Sequence, residues 1–214
     1  MTSPSRREFV VHREPINRHG RIIVVSGPSG VGKGTVIRRV LEQVPDLALS
    51  VSATTRPMRE GDIAGTSYHF LSQQEFEVGI QDGIFYEWAR YKNNYYGTLK
   101  RTVAERTATG KDIILEIDIQ GARQVKSLAP NAVLIYIQPP NFETLEKRLR
   151  GRATETEQAI RERLAAAIDE QNSVEADYAG HYVITNDNLD ACTNLLITII
   201  SAERHRMIRP EPEN

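Results

Sequence analysis

The 214-residue chain carries 27 Lys and Arg against 28 Asp and Glu, so its overall charge favours neither a nucleic-acid nor a membrane-surface partner, and any anion site must be local. The single cysteine, Cys192, excludes an internal disulfide and fits a reducing, cytoplasmic setting; lying in an apolar helical stripe, it reads as core packing. No apolar run approaches the roughly 18 residues that span a bilayer, and the length suits one domain with a substantial core.

Residues 1–20 mix Arg6, Arg7, Arg13 and Arg18 with Glu8 and Glu14, which reads as a flexible tail and not as a transit peptide. The stretch 21–35, RIIVVSGPSGVGKGT, follows. Ile22, Ile23, Val24 and Val25 are continuously apolar and β-branched, as in a strand buried on both faces of a parallel sheet. Gly27 and Pro28 break that strand, and Val36, Ile37, Val40, Leu41 and Val44 recur at helical spacing. Strand, glycine loop and helix together make a phosphate cradle: backbone N–H groups curl around an anion, the helix start adds partial positive charge, and Lys33 adds a full one. Its candidate residues are Gly27, Pro28, Ser29, Gly30, Val31, Gly32, Lys33, Gly34 and Thr35. The usual motif has Ser or Thr directly after the lysine as a magnesium ligand. Here Gly34 takes that place and the hydroxyl comes one step later, a GKGT variant that resembles adenylate kinases at this point.

Further along, the pattern predicts a strand over 47–53, a polar loop over 54–67 and an extended piece over 68–71. Ser72 and Glu75 form a capping box opening a helix to about 82. Then come a strand over 84–91, a weak helix over 98–109, a buried strand over 113–117, a short helix over 121–128 and an apolar strand over 132–137. Asn141 caps a helix ending at 150. Thr154 and Glu157 form a second capping box before a long helix striped with Ile160, Leu164, Ala167 and Ile168. A strand over 182–185 and a helix carrying Cys192, Leu195, Leu196, Ile199 and Ile200 close the chain. The alternation argues an α/β fold with a mostly parallel sheet flanked by helices. The expected organisation is a domain over 21–207, with core segments 21–51 and 98–207, a strand-rich insertion at about 52–97, a helical lid at about 147–164, and tails at 1–20 and 208–214.

The insertion contains SATTRPMREGDIAGTSYHF from Ser52 and YEWARYKNNYYGT from Tyr86, and the lid reads KRLRGRATETEQAIRERL. With the phosphate loop before them, these segments resemble the guanylate kinase family over about residues 22–202, its members showing a pattern similar to S-x-TTR-x-x-R-x-GE-x-x-G-x-x-Y-x-F, then E-W and N-Y-Y-G-S/T. Asp62 stands where the family usually has Glu, Met58 follows Pro57 where proline usually precedes the second arginine directly, and Ala153 replaces a common Gly.

The resemblance implies a P-loop NTPase-type fold and an ATP-dependent phosphorylation of GMP, and of dGMP, with Mg2+. It implies that Ser52, Arg56, Arg59, Tyr68 and Tyr96 hold the GMP phosphate, a dianion that suits guanidinium forks and hydroxyl donors. Glu87 would accept guanine N1–H and N2–H, Thr98 would stand near O6, and Asp118, with Glu116, at the base or metal edge. Lys33 would serve the β- and γ-phosphates, Arg59 the acceptor phosphate, and Arg152 and Arg163 the charge in flight. Magnesium would sit on Thr35 or on water, with Asp118 reaching it through water. Trp88 and His69 read as packing residues. Arg148, which also resembles a lid arginine, reads with Arg150 and Arg161 as solvating helix faces among Glu155, Glu157 and Glu162. Two other readings share these motifs: a kinase for another phosphorylated acceptor such as ribose 1,5-bisphosphate, and a silent scaffold-type binding module.

Overall fold

The structure, a computed structural model, describes residues 19–91, 93–151 and 156–206. The expected tails, and Arg152, Ala153, Thr154 and Glu155 of the expected lid, fall largely or wholly outside that range.

Among the described residues, five strands form one parallel sheet in the order β2-β7-β1-β8-β9: β1 (Ile22–Ser26), β2 (Leu47–Leu49), β7 (Asp112–Glu116), β8 (Val133–Gln138) and β9 (Tyr182–Thr185). The alternation of β1 supplies two faces. Ile23 and Val25 pack with Ile114, Ile135 and Ile137 against helices α1 (Lys33–Gln43) and α7 (Leu189–His205). Val24 faces the other way, with Leu115, Leu134 and Tyr136, against α3 (Lys100–Ala108), α4 (Ile119–Leu128) and the C-terminal part of α6 (Glu157–Asp177). Central strands of such a sheet lose water on both sides, which explains the unbroken apolar runs. The order places β1 between β7 and β8, so the chain leaves β1 where the connections diverge, and a crevice opens at the carboxyl ends of the strands.

A second sheet, β4-β3-β6-β5, is built from β3 (Ala53–Thr54), β4 (His69–Phe70), β5 (Phe85–Tyr91) and β6 (Asn94–Leu99). Helix α2 (Gln73–Gln81) covers it, with the expected capping box present at Ser72 and Glu75. Phe76 is fully buried there, stacked on Phe85 at 4.3 Å and on Tyr95 at 5.2 Å; burying such a side chain contributes about 2 kcal/mol. Helix α5 (Phe142–Arg150), capped by Asn141, packs Leu145 and Leu149 against Ile160, Leu164 and Ala167 of α6.

Several elements differ from expectation. The single strand expected over 47–53 is two strands in two sheets, because the extended backbone changes partners after Ser50, whose N–H still donates to Ile114 O at 2.8 Å. Strand β6 falls in the strand-rich insertion where no separate element was assigned, and it runs through Thr98, where the pattern began a helix; antiparallel pairing with β5 holds it. Thr156 caps α6, its hydroxyl accepting from Ala159 N at 3.3 Å. Trp88 is 38% exposed rather than core, and Ile168 and Leu195 face solvent. No helix among the described residues is long and apolar enough to cross a membrane.

Candidate active site

The loop between β1 and α1 lines a cleft of about 330 Å3, with Lys33, Thr35, Arg38 and Glu116 at its walls. Gly27 has φ 143°, and a Cβ there would stand 2.1 Å from Ile137 O; Gly32, the residue capping α1, has φ 103°. Glycine alone fits such a backbone. Lys33 Nζ donates to Gly27 O at 2.5 Å and to Pro28 O at 3.2 Å, so the ammonium is folded onto its own loop.

Distant cations brace that loop. Arg163 of α6 donates to Ser29 Oγ at 2.6 Å. Arg148 of α5 donates to Val31 O at 3.1 Å and to Asn186 O at 3.0 Å, while Asn186 Nδ2 also reaches Val31 O at 2.8 Å. Arg148 therefore does not solvate a helix face; it ties the loop to the segment after β9. Arg150 and Arg161 behave as expected, pairing with Glu157, and Arg150 with Glu146 as well. Beneath the loop, the hydroxyls of Ser26 and Tyr178 are bonded to each other. Burial pushes Tyr178 up to about 12 and raises Glu170 of α6, while the neighbouring Lys33 charge pulls Glu170 back down.

On the second sheet, the Arg56 guanidinium lies 5.2 Å from the Tyr68 ring centre and 5.6 Å from that of Phe70, and pairs with Asp62 at 2.9 Å. Asp62 also accepts from Arg59 N at 2.7 Å. The Arg56 hydrogen bond, then that of the Arg59 backbone, holds the Asp62 carboxyl below its ordinary range. One carboxylate thus shapes the loop and aims one of its arginines, while the Arg59 side chain stays exposed. Tyr68 and Tyr96 meet edge to face at 6.1 Å, and Ser52 is half-buried, its carbonyl accepting from His69 N.

Glu87 and Thr98 face one another in the β5–β6 register, and Thr98 Oγ1 donates to Glu87 Oε1 at 2.7 Å. Glu87 is 5% exposed. Burial, aided by the charge of Asp118 and opposed by the Thr98 bonds, raises it to about 7. Asp118 caps α4, its Oδ1 accepting from Gly121 N at 2.8 Å. Glu116 ends β7 on the phosphate-loop side: a Cβ on Gly34 would lie 3.7 Å from both of its carboxylate oxygens. Arg152 lies outside the described residues.

Sequence reasoning gave no part to Asn186, Arg38, Gly121 or Gln124. Gly121 alone offered a hint, as a glycine in the first turn of a helix that follows an acidic segment.

A parallel sheet with a glycine-rich loop and helix at the carboxyl end of its central strand, carrying a lysine at the helix start, defines a P-loop nucleotide-binding α/β protein. The family model described as guanylate kinase matches residues 19–203. A guanylate kinase of Synechocystis sp. is 47% identical over 185 residues, covering 86% of this chain and 95% of that protein. One of Rubrobacter xylanophilus is 53% identical over 153 residues, covering 72% and 80%. The crystal structure of guanylate kinase from Anaplasma phagocytophilum superposes with a TM-score of 0.69 at 31% identity, covering 88% of each chain. The chain belongs to the guanylate kinase family.

Proposed function

We propose that this protein transfers the γ-phosphoryl group of ATP to GMP, and to dGMP, yielding ADP and GDP or dGDP. The observation that carries this reading is Glu87: a buried carboxylate, hydrogen-bonded to Thr98, on a sheet set beside a phosphate loop. Guanine offers adjacent N1–H and N2–H donors to such a group, whereas adenine presents a ring-nitrogen lone pair. A buried acceptor left unpaired by the wrong base supports discrimination of about four orders of magnitude.

In this reading Arg56 and Arg59, with Ser52, Tyr68 and Tyr96, hold the acceptor phosphate. With the nucleotide bound, the Thr98 hydroxyl turns from Glu87 to serve O6, and Asp118 lies at the base edge. The loop from Gly27 to Thr35 holds the donor phosphates, with Lys33 leaving its carbonyl partners for the β- and γ-oxygens. An oxygen of the GMP phosphate attacks the γ-phosphorus, and the bond from that phosphorus to the β,γ-bridging oxygen breaks, its electron pair staying on ADP. The attacking oxygen is already ionised, its second pKa being about 6, so no general base is required. Charge spreads over the equatorial oxygens, and Lys33, Arg59, Arg163 and Arg152 supply the compensating cations.

The residues fit magnesium. Thr35 and Glu116 present hard oxygen donors on one cleft. Among the described residues no group of three or more His, Cys, Asp or Glu is placed to hold a metal ion, so phosphate oxygens and water would complete the shell, with Asp118 reaching it through water. Bound there, magnesium would neutralise phosphate charge. The second sheet forms the GMP-binding insertion and the α5–α6 region the lid, and both close over the ligands to exclude water. A cytoplasmic setting suits the lone, buried Cys192.

The test is ADP production from ATP and magnesium with GMP, dGMP, AMP, CMP, UMP and ribose 1,5-bisphosphate offered separately. Turnover confined to GMP and dGMP is expected. Turnover with the sugar phosphate alone would overturn the role of Glu87, and none with any acceptor, in folded protein, would point to a binding module.

A further inference from the structure

We propose that helix α4 determines base specificity, with Gly121 and Gln124 as the positioning residues that fix the Glu87 carboxylate; this rests on the reading of Glu87 as the guanine contact. Two independent observations lead to it. A Cβ built on Gly121 would stand 2.9 Å from Glu87 Oε2 and 3.3 Å from Ile117 Cβ. The first turn of α4 thus lies closer to the carboxylate than a side chain at position 121 would permit, and Glu87 is gripped on one oxygen by Thr98 and confined at the other by this turn.

Gln124 supplies the second observation. Its Oε1 accepts from Trp88 N at 3.2 Å and its Nε2 donates to Trp88 O at 3.1 Å. Strand β5 is the edge of its sheet, so these groups would otherwise lack a strand partner. One side-chain amide satisfies both, as a neighbouring strand would, at the residue directly after Glu87.

Helix α4 can do this because it has two working faces. Ile119, Ala122 and Val125 are buried in the core of the parallel sheet, while Gly121 and Gln124, three residues apart, meet β5. The helix therefore references a carboxylate carried by the insertion to the body that carries the phosphate loop. Asp118, capping the same helix through Gly121 N, sets where that turn begins.

The test is steady-state kinetics of Gly121→Ala and Gln124→Leu with ATP and either GMP, IMP, which lacks the 2-amino group, or AMP. We expect KM for GMP to rise at least tenfold in Gly121→Ala and about fivefold in Gln124→Leu, with KM for ATP within twofold of wild type and the GMP to IMP preference in kcat/KM reduced. Gln124→Leu keeps the side-chain volume at a half-buried position, so it remains informative if Gly121→Ala does not fold. Unchanged KM for GMP in folded Gln124→Leu, or equal rises in both KM values alongside a lowered Tm, would overturn the inference. A wild-type protein inactive with GMP would overturn the underlying reading and the inference with it.

Discussion

Thr98 donates its hydroxyl to Glu87 Oε1 at 2.7 Å across the β5–β6 pair, and this bond is what opposes the burial that lifts the carboxyl to about 7. The pair is therefore poised between two protonation states at neutral pH, and a ligand offering hydrogen-bond donors selects the ionised one.

Proton linkage follows from that poise. In the ligand-free protein, Glu87 keeps a proton between its ordinary value of 4.5 and about 7 that the unfolded chain has lost. Stability should thus fall as pH rises through this window, by roughly 3 kcal/mol in all, and flatten above it. Binding GMP should reverse the balance. At pH 7 the nucleotide phosphate is about nine-tenths dianionic, given its second pKa of about 6, so it can release only about a tenth of a proton itself, and a larger fraction per GMP should leave from Glu87. Calorimetric titration in two buffers of different ionisation enthalpy measures this, and release no greater than the phosphate's own share would remove Glu87 from the base contact.

Asp62 should act on GMP through Arg56. Its carboxylate pairs with the guanidinium at 2.9 Å and accepts from Arg59 N, so Asp62→Ala frees the arginine and the loop together. KM for GMP should rise about tenfold while KM for ATP stays within twofold, and Asp62→Asn, which keeps an acceptor, should recover part of the loss.

Arg148 and Arg163 should separate structure from turnover. Arg148 bonds two backbone carbonyls, of Val31 and Asn186, and charge-assisted bonds of this kind contribute about 1.5 to 3 kcal/mol. Arg148→Met should lower Tm and raise KM for ATP. Arg163 meets the hydroxyl of Ser29, a partner it can exchange for phosphate oxygens. Arg163→Met should reduce kcat by about a hundredfold or more with little change in Tm. A swap of these outcomes would exchange the two roles.

Ser72 provides a control away from the chemistry. Its side chain accepts from Glu75 N while Glu75 accepts from Ser72 N at 2.7 Å. Ser72→Ala should cost about 1 kcal/mol in chemical denaturation and leave KM for both substrates unchanged.

Much of this molecule was legible in its order of residues. The run from Ile22 to Thr35 dictates strand, loop and helix because each depends on neighbours a few positions away: β-branched residues in succession, glycines that permit φ 143° and 103° at Gly27 and Gly32, and apolar residues at 3.6-residue spacing. The capping box at Ser72 and the Asn141 cap are equally local. The tertiary structure alone decided that the extended run after Leu47 divides between two sheets and that Asn94–Leu99 is a strand. It also decided that Arg148 meets Val31 across 117 positions, and that Gln124 meets Trp88 across 36. A charged helical residue carries the same local signature whether it faces water or a loop carbonyl, and an edge strand shows in its own residues nothing of what will cover it. Those outcomes depend on how the elements pack, and the placement of Glu87 against Gly121 depends on it most.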